Sequence, residues 1–183
     1  MYLEAILAHK KEEIKQKKAR SLAGLPEKSG NLSLPEGSGS LPGRNRFRSA
    51  LAAPGIAVVA EIKRASPSRG TIAPGLDPVK TAVLYEKNGA AAISVLTEEK
   101  FFRGGLHDLR AVKAVAKLPV LAKDFFLDPS QIEEAAGAGA DVILLIMAIL
   151  SRAQAAELAA CAREKGLGIL AEIHAEEELE AAL

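Results

Sequence analysis

Four charged residues interrupt segments that are otherwise apolar: Glu61, Lys63, Lys123 and Glu172. They fall at the ends of short runs rich in β-branched and small residues, Ile56–Ile62, Pro119–Ala122 and Gly168–Ile173. If those runs are strands, their side chains alternate from face to face. Glu61 then shares a face with Lys63, Leu121 with Lys123, and Leu170 with Glu172. A single charge at a strand end is as often a solvated loop residue. Four of them, spread over three runs and in phase with core positions, point instead to one polar rim above an apolar interior. Burial lowers a lysine pKa and raises a glutamate pKa, so such a mouth brings both toward working pH as an acid–base set.

Other chemistries find less support. Ser66-Pro67-Ser68-Arg69-Gly70 after the first run fits a flexible turn, a phosphorylatable site or an anion-binding loop equally well. His9, His107 and His174 lack metal-ligand spacing, and the single cysteine, Cys161, lies in an alanine-rich helical stretch as a buried spectator, so no metal is expected. Neither a Gly-x-Gly-x-x-Gly nor a Gly-x-x-x-x-Gly-Lys-Ser/Thr motif follows the first strand, which argues against a dinucleotide or P-loop site. A net charge of +1 gives no basic excess for nucleic acid. No apolar run reaches the roughly 18 residues of a membrane span, and the start of the chain lacks the features of a signal peptide. With one cysteine, a reducing, cytoplasmic setting is expected.

The elements that must position these residues form a regular series. Tyr2, Leu3, Ile6, Leu7 and Ile14 recur at helical spacing, with lysines and glutamates on the remaining faces, read as a solvated surface. Leu25–Asn45 is rich in Gly, Ser and Pro and reads as a mobile connector, and Phe47–Ala52 as a short lead into the core. Strand-like runs then alternate with helices: Ile56–Ile62, Ala92–Leu96, Pro119–Ala122, Asp141–Ile146 and Gly168–Ile173. Asp77-Pro78 and Asp128-Pro129 pair an N-cap acceptor with a proline at the first helical position, Ser151 to Gln154 fits a capping box, and Gly166 marks a helix stop. Asn88-Gly89-Ala90 and Ala138-Gly139-Ala140 repeat the same helix-stop before a strand. The pattern predicts an α/β fold with parallel strands, and by itself allows either a doubly wound sheet or a barrel.

At this resolution of detail the chain resembles the indole-3-glycerol-phosphate synthase family. The resemblance rests on Ala60-Glu61-Ile62-Lys63-Arg64-Ala65-Ser66-Pro67-Ser68-Arg69-Gly70, on Ile93 through Gly105 (Ile-Ser-Val-Leu-Thr-Glu-Glu-Lys-Phe-Phe-Arg-Gly-Gly), and on Pro119-Val120-Leu121-Ala122-Lys123-Asp124-Phe125. Asp141–Ile146 and Leu170–His174 continue the series in order. It implies a (β/α)8 TIM barrel, a phosphorylated small-molecule substrate, 1-(2-carboxyphenylamino)-1-deoxyribulose 5-phosphate, and its decarboxylating ring closure to indole-3-glycerol phosphate in tryptophan biosynthesis, without a cofactor. By the same resemblance Lys123 is the general acid on the ketone oxygen and Glu172 transfers protons during dehydration. Lys63 holds anionic substrate groups and shares acid duty in the later step, and Glu61 orients the lysines. Ser66 and Pro67 belong to a mobile loop over the substrate, while Phe102, Phe125, Leu144 and Ile146 form an apolar wall for the anthranilate ring. A Schiff-base aldolase with Lys123 as nucleophile is the enzymatic alternative, separable by borohydride trapping.

The family's later strands carry an Asn-Asn-Arg segment and glycine-rich phosphate loops that have no counterpart before Leu183. Residues 46–183 are therefore expected to form an incomplete barrel of about five βα units, preceded by the helix and connector of residues 1–45. Such a sheet leaves two edges, and the non-enzymatic alternative is a half-barrel that serves only as an assembly partner and buries those edges against another chain. The 183-residue polypeptide by itself is expected to show little or no synthase activity.

Overall fold

The computed structural model describes residues 2–23 and 43–183. Most of the connector expected at 25–45 lies outside the described residues. Its last three residues are already helical, because α2 (Gly43–Leu51) starts there and includes the segment read as a lead into the core.

Five parallel strands form one sheet in the order β1 (Val59–Ile62), β4 (Ala92–Leu96), β5 (Val120–Lys123), β6 (Val142–Ile146) and β7 (Gly168–Glu172). Helices α3 (Pro78–Lys87), α4 (Leu106–Val115), α5 (Pro129–Gly137) and α6 (Arg152–Glu164) connect them, and α7 (Leu179–Ala182) follows β7. This is the incomplete barrel of five βα units expected from the sequence. The first strand is shorter than read: Ile56 is 96% exposed and lies outside β1, since pairing to the neighbouring strand begins only where Ala91 N donates to Val58 O at 2.8 Å.

Local chemistry explains the helix ends. Asp77 caps α3 through Val79 N and Lys80 N, and Asp128 and Ser151 form capping boxes with Gln131 and Gln154. The repeated Gly-Ala stops are Schellman turns. Gly89 N reaches Glu86 O and Ala90 N reaches Tyr85 O, and Gly139 and Ala140 repeat both bonds on Ala136 and Ala135. Both glycines have φ near +85°, which a side chain disfavours.

The sheet has two faces with different partners. Ile62, Ile93, Val95, Val120, Ala122, Ile143 and Leu145 pack outward on the helices, against Leu109, Val112, Ile132 and Leu158. Each fully buried side chain of this kind contributes about 2 kcal/mol. On the inner face Ala92, Leu121, Val142 and Leu144 meet Phe47 from α2. Arg46 of the same helix bonds Asp141, just before β6, at 3.2 Å and also donates to Lys117 O, before β5. Helix α2 thus covers the amino-terminal end of the inner face. Helix α1 (Tyr2–Leu22) lies at the opposite end, against the loops after β4 and β5. Its lysine run is not wholly solvated: Lys10 is only 3% exposed, whereas Tyr2 and Leu3 of the apolar stripe are open to solvent. Of the described helices, none is long and apolar enough to cross a membrane.

Candidate active site

Strand register places the charged residues. Glu61 pairs with Ser94, Ser94 with Leu121, Leu121 with Val142, and Val142 with Gly168. These residues share the inner face, and so do Leu96, Lys123, Leu144, Ile146, Leu170 and Glu172, each an even number of positions away on its strand. In an eight-stranded barrel of shear eight, a level tier climbs about one residue per strand along such a row. Two strands on from Glu61 the tier meets the residue two beyond Leu121, which is Lys123. Four strands on it meets the residue four beyond Gly168, which is Glu172. Alternate strands therefore deliver Glu61, Lys123 and Glu172 to one layer.

Contacts within the layer centre on Glu61. Its Oε2 accepts from Lys123 Nζ at 2.7 Å, and its Oε1 accepts from Lys63 Nζ. Burial alone raises the carboxyl's pKa, and hydrogen bonds from Lys123 and then Lys63 outweigh it, holding Glu61 below the ordinary carboxylate range. The Tyr85 hydroxyl donates to the Glu61 carbonyl at 3.0 Å and fixes the strand there from the helix side. Glu172 shares the tier but has a different partner: its Oε1 lies 2.8 Å from His174 Nε2. Among the described residues it makes no ion pair with either lysine.

The apolar candidates divide. Phe102, from the loop after β4, and Phe125, from the loop after β5, stand with ring centroids 6.2 Å apart at the rim. Leu144 is buried with Leu121 and Phe47 lower in the inner face, and Ile146, one turn of the pleat higher, is half-buried above it. Ser66 and Pro67 belong to a small hairpin, β2 (Ala65–Ser66) with β3 (Gly70–Thr71), tied back by Ile72 N to Arg64 O at 2.8 Å. Ser66 Oγ accepts from Arg69 N at 3.3 Å, so its hydroxyl closes that turn.

Sequence reading missed the residues that hold these loops. Arg64 donates to Asp108 Oδ1 at 2.9 Å, to Leu76 O at 3.2 Å and to Arg103 O at 3.0 Å, joining the exit of β1 to α4 and the Phe102 loop. Glu98, 1% exposed, accepts from the backbone N–H groups of Lys100, Phe101 and Phe102 at 3.2, 2.6 and 3.1 Å. Gly104 passes so close to Leu96 that a Cβ there would sit 1.9 Å from its carbonyl oxygen. An acidic residue two positions past a strand and three before a pair of aromatics was the available signal for Glu98. Ser94, beside Glu61 on the inner face, has a buried hydroxyl without a hydrogen-bond partner among the described residues.

Parallel strands with helices outside, an apolar inner face and a charged tier toward the strands' carboxyl ends define the (β/α)-barrel class, whose sites lie on that rim. Comparison with known proteins is more specific. The family model for indole-3-glycerol phosphate synthase matches residues 3–183, and the chain belongs to that family. A protein named indole-3-glycerol phosphate synthase from Oceanobacillus iheyensis is 46% identical over 147 residues, covering 80% of this chain and 56% of that one. One of the same name from Mycolicibacterium gilvum is 52% identical over 134 residues, covering 73% and 49%. A third, from Hyphomonas neptunium, is 44% identical over 183 residues, covering 99% and 67%. The chain thus spans about half to two-thirds of the length of these relatives.

Proposed function

We propose that the chain carries the acid–base part of an indole-3-glycerol-phosphate synthase site, acting on 1-(2-carboxyphenylamino)-1-deoxyribulose 5-phosphate. The observation that carries this reading is Lys123 on the inner face, bonded to Glu61 at 2.7 Å and two residues before Phe125, whose ring pairs with that of Phe102. In this reading Lys123 protonates the ketone oxygen as the aromatic carbon attacks it, so charge on the developing alkoxide is neutralised as it forms. Glu61 holds both lysines ammonium-first toward the cavity. Lys63 offers a second cation for the substrate's anionic groups. Glu172, on the same tier, takes or returns protons as carbon dioxide and water leave, with His174 steadying its carboxylate. The two phenylalanines give the anthranilate ring a dry face to pack on. The substrate's own ketone serves as the electron sink, so this scheme calls on no cofactor.

A chimera tests it, with residues 3–183 replacing the matching region of the Hyphomonas neptunium relative. Indole fluorescence should report turnover, and Lys123→Met should reduce kcat by about 100-fold or more, the range of a lost general acid. A chimera that is active and indifferent to Lys123→Met would refute the assignment. A borohydride-trapped adduct on Lys123 would replace it with Schiff-base chemistry. In the 183-residue chain tested alone, we expect turnover far below that of the chimera, because β1 and β7 are open edges of the described sheet and leave the inner face uncovered between them.

A further inference from the structure

Lys10 is the one lysine of α1 withdrawn from solvent, and it is withdrawn beside the site. Its ammonium lies 3.0 Å from Asp124 Oδ1 and 3.0 Å from Glu13 Oε2. Burial opposes that charge, but Asp124 and Glu13 more than offset it, so Lys10 titrates above the ordinary lysine range. Asp124 directly follows Lys123, and its side chain is 11% exposed. Besides Lys10 it accepts from Thr97 Oγ1 at 2.9 Å and from Phe125 N at 2.8 Å. Thr97 N in turn donates to Lys123 O at 3.0 Å. Because side chains alternate along the strand, Lys123 faces inward while Asp124 faces the loop side. The carboxylate of Asp124 is therefore the outer anchor of the turn whose inner residue is Lys123 and whose next residue is Phe125.

We infer that Lys10 is a positioning residue for Lys123 and Phe125, acting through Asp124, so that α1 is part of the site's supporting frame. Without its cation the Asp124 carboxylate is left buried beside no counter-charge, which favours its turning toward water and freeing the turn after β5. The other ion pairs between α1 and this region differ in kind. Lys17 with Glu134 and Lys18 with Asp128 involve lysine side chains about half exposed, which hold the helix loosely and contribute little individually. The inference builds on the proposed role of Lys123, and its test does not require turnover.

Two readouts on the 183-residue protein decide it: amide hydrogen exchange at Asp124–Phe126, and trace acetylation of Lys123 measured relative to the exposed Lys80. In Lys10→Met, loss of one charge-assisted hydrogen bond should speed local exchange about tenfold. Lys123 labelling should rise with it, as its grip on Glu61 loosens. Lys10→Arg should restore parental behaviour, and Lys18→Met should stay within about twofold of the parent on both readouts. Asp124→Asn should reproduce Lys10→Met, and the double variant should add nothing, because both act through one contact. Asp124→Asn carries the test alone if Lys10→Met fails to fold. Unchanged exchange and labelling in Lys10→Met and Asp124→Asn, an equal effect from Lys18→Met, or additive effects in the double variant would overturn the inference. Should these results hold while the chimera shows no turnover, Lys10 still positions the turn and only the synthase reading fails.

Discussion

Replacing Glu61 with glutamine keeps the shape of the site's central side chain and removes its charge. In the parent, Glu61 receives two ammonium hydrogen bonds, one from Lys123 at 2.7 Å and one from Lys63. A hydrogen bond to a charged group contributes about 1.5–3 kcal/mol. The two lysine side chains are 35% and 34% exposed, so solvent reduces each bond to about 1 kcal/mol. Glutamine retains one acceptor, and Glu61→Gln should therefore cost about 1–2 kcal/mol at pH 7, or a urea midpoint lowered by about 0.5–1 M. The sign with pH follows from the depressed carboxyl. A group whose pKa is lower folded than unfolded adds stability above its unfolded value, ordinarily 4.5, and loses it as pH falls through the folded value. The gap between parent and Glu61→Gln should thus be full at pH 6–7 and narrow steadily once pH drops below about 4.5. Urea unfolding of both proteins across that range is the assay. A gap that is constant with pH, or a glutamine variant more stable than the parent at pH 7, would refute the bridging role of Glu61.

Three further outcomes follow from contacts around the site. Ser94→Ala should raise stability by up to about 1 kcal/mol, because it removes a buried hydroxyl without a partner among the described residues, and a loss on urea unfolding would count against that view. Gly104→Ala should cost about 2 kcal/mol or more, since its Cβ would lie 1.9 Å from the Leu96 carbonyl oxygen and the Phe102 loop must move; a variant within about 0.5 kcal/mol of the parent would contradict it. Asp141→Asn should cost about 2–4 kcal/mol by the same assay, because Asp141 accepts from Val120 N at 2.8 Å and from Lys113 and Arg46, whose charges would lose their counter-ion.

Much of the fold was legible because its signals are local. The aspartate–proline caps, the serine–glutamine box and the Gly-Ala stops each satisfy backbone groups within a few residues, and each appears where the sequence places it. Ile56 misled because an apolar run says nothing about where pairing begins, and Ser94 escaped notice because one small polar residue in an apolar strand is locally unremarkable. Lys10 was illegible for a stronger reason. In a helix carrying Lys10, Lys11, Lys15, Lys17 and Lys18, nothing local marks one lysine as buried. Its partner, Asp124, is far along the chain, and only the docking of α1 on the β5 loop brings the two together.

The site itself shows where alternation stops being informative. Period two fixes which face a strand residue occupies, and it assigned Glu61, Lys63, Lys123 and Glu172 to compatible faces. It does not fix height. Lys123 and Glu172 end their strands, but Glu61 is followed by Ile62 within β1, so position at a strand end cannot be what aligns them. The alignment comes from the stagger between strands, which carries the tier two residues past Leu121 and four past Gly168. A one-residue slip in the β6–β7 register would turn Glu172 outward onto the helices and put Ala171 or Ile173 in the tier. The small residue Gly168 opposite Val142 and the half-buried Leu170 opposite Leu144 keep that register, because a slip would also turn Ile169 from the helix layer into the inner face. The apolar pattern beneath the tier therefore selects the pairing that delivers Glu172 to the level of Lys123 and Glu61.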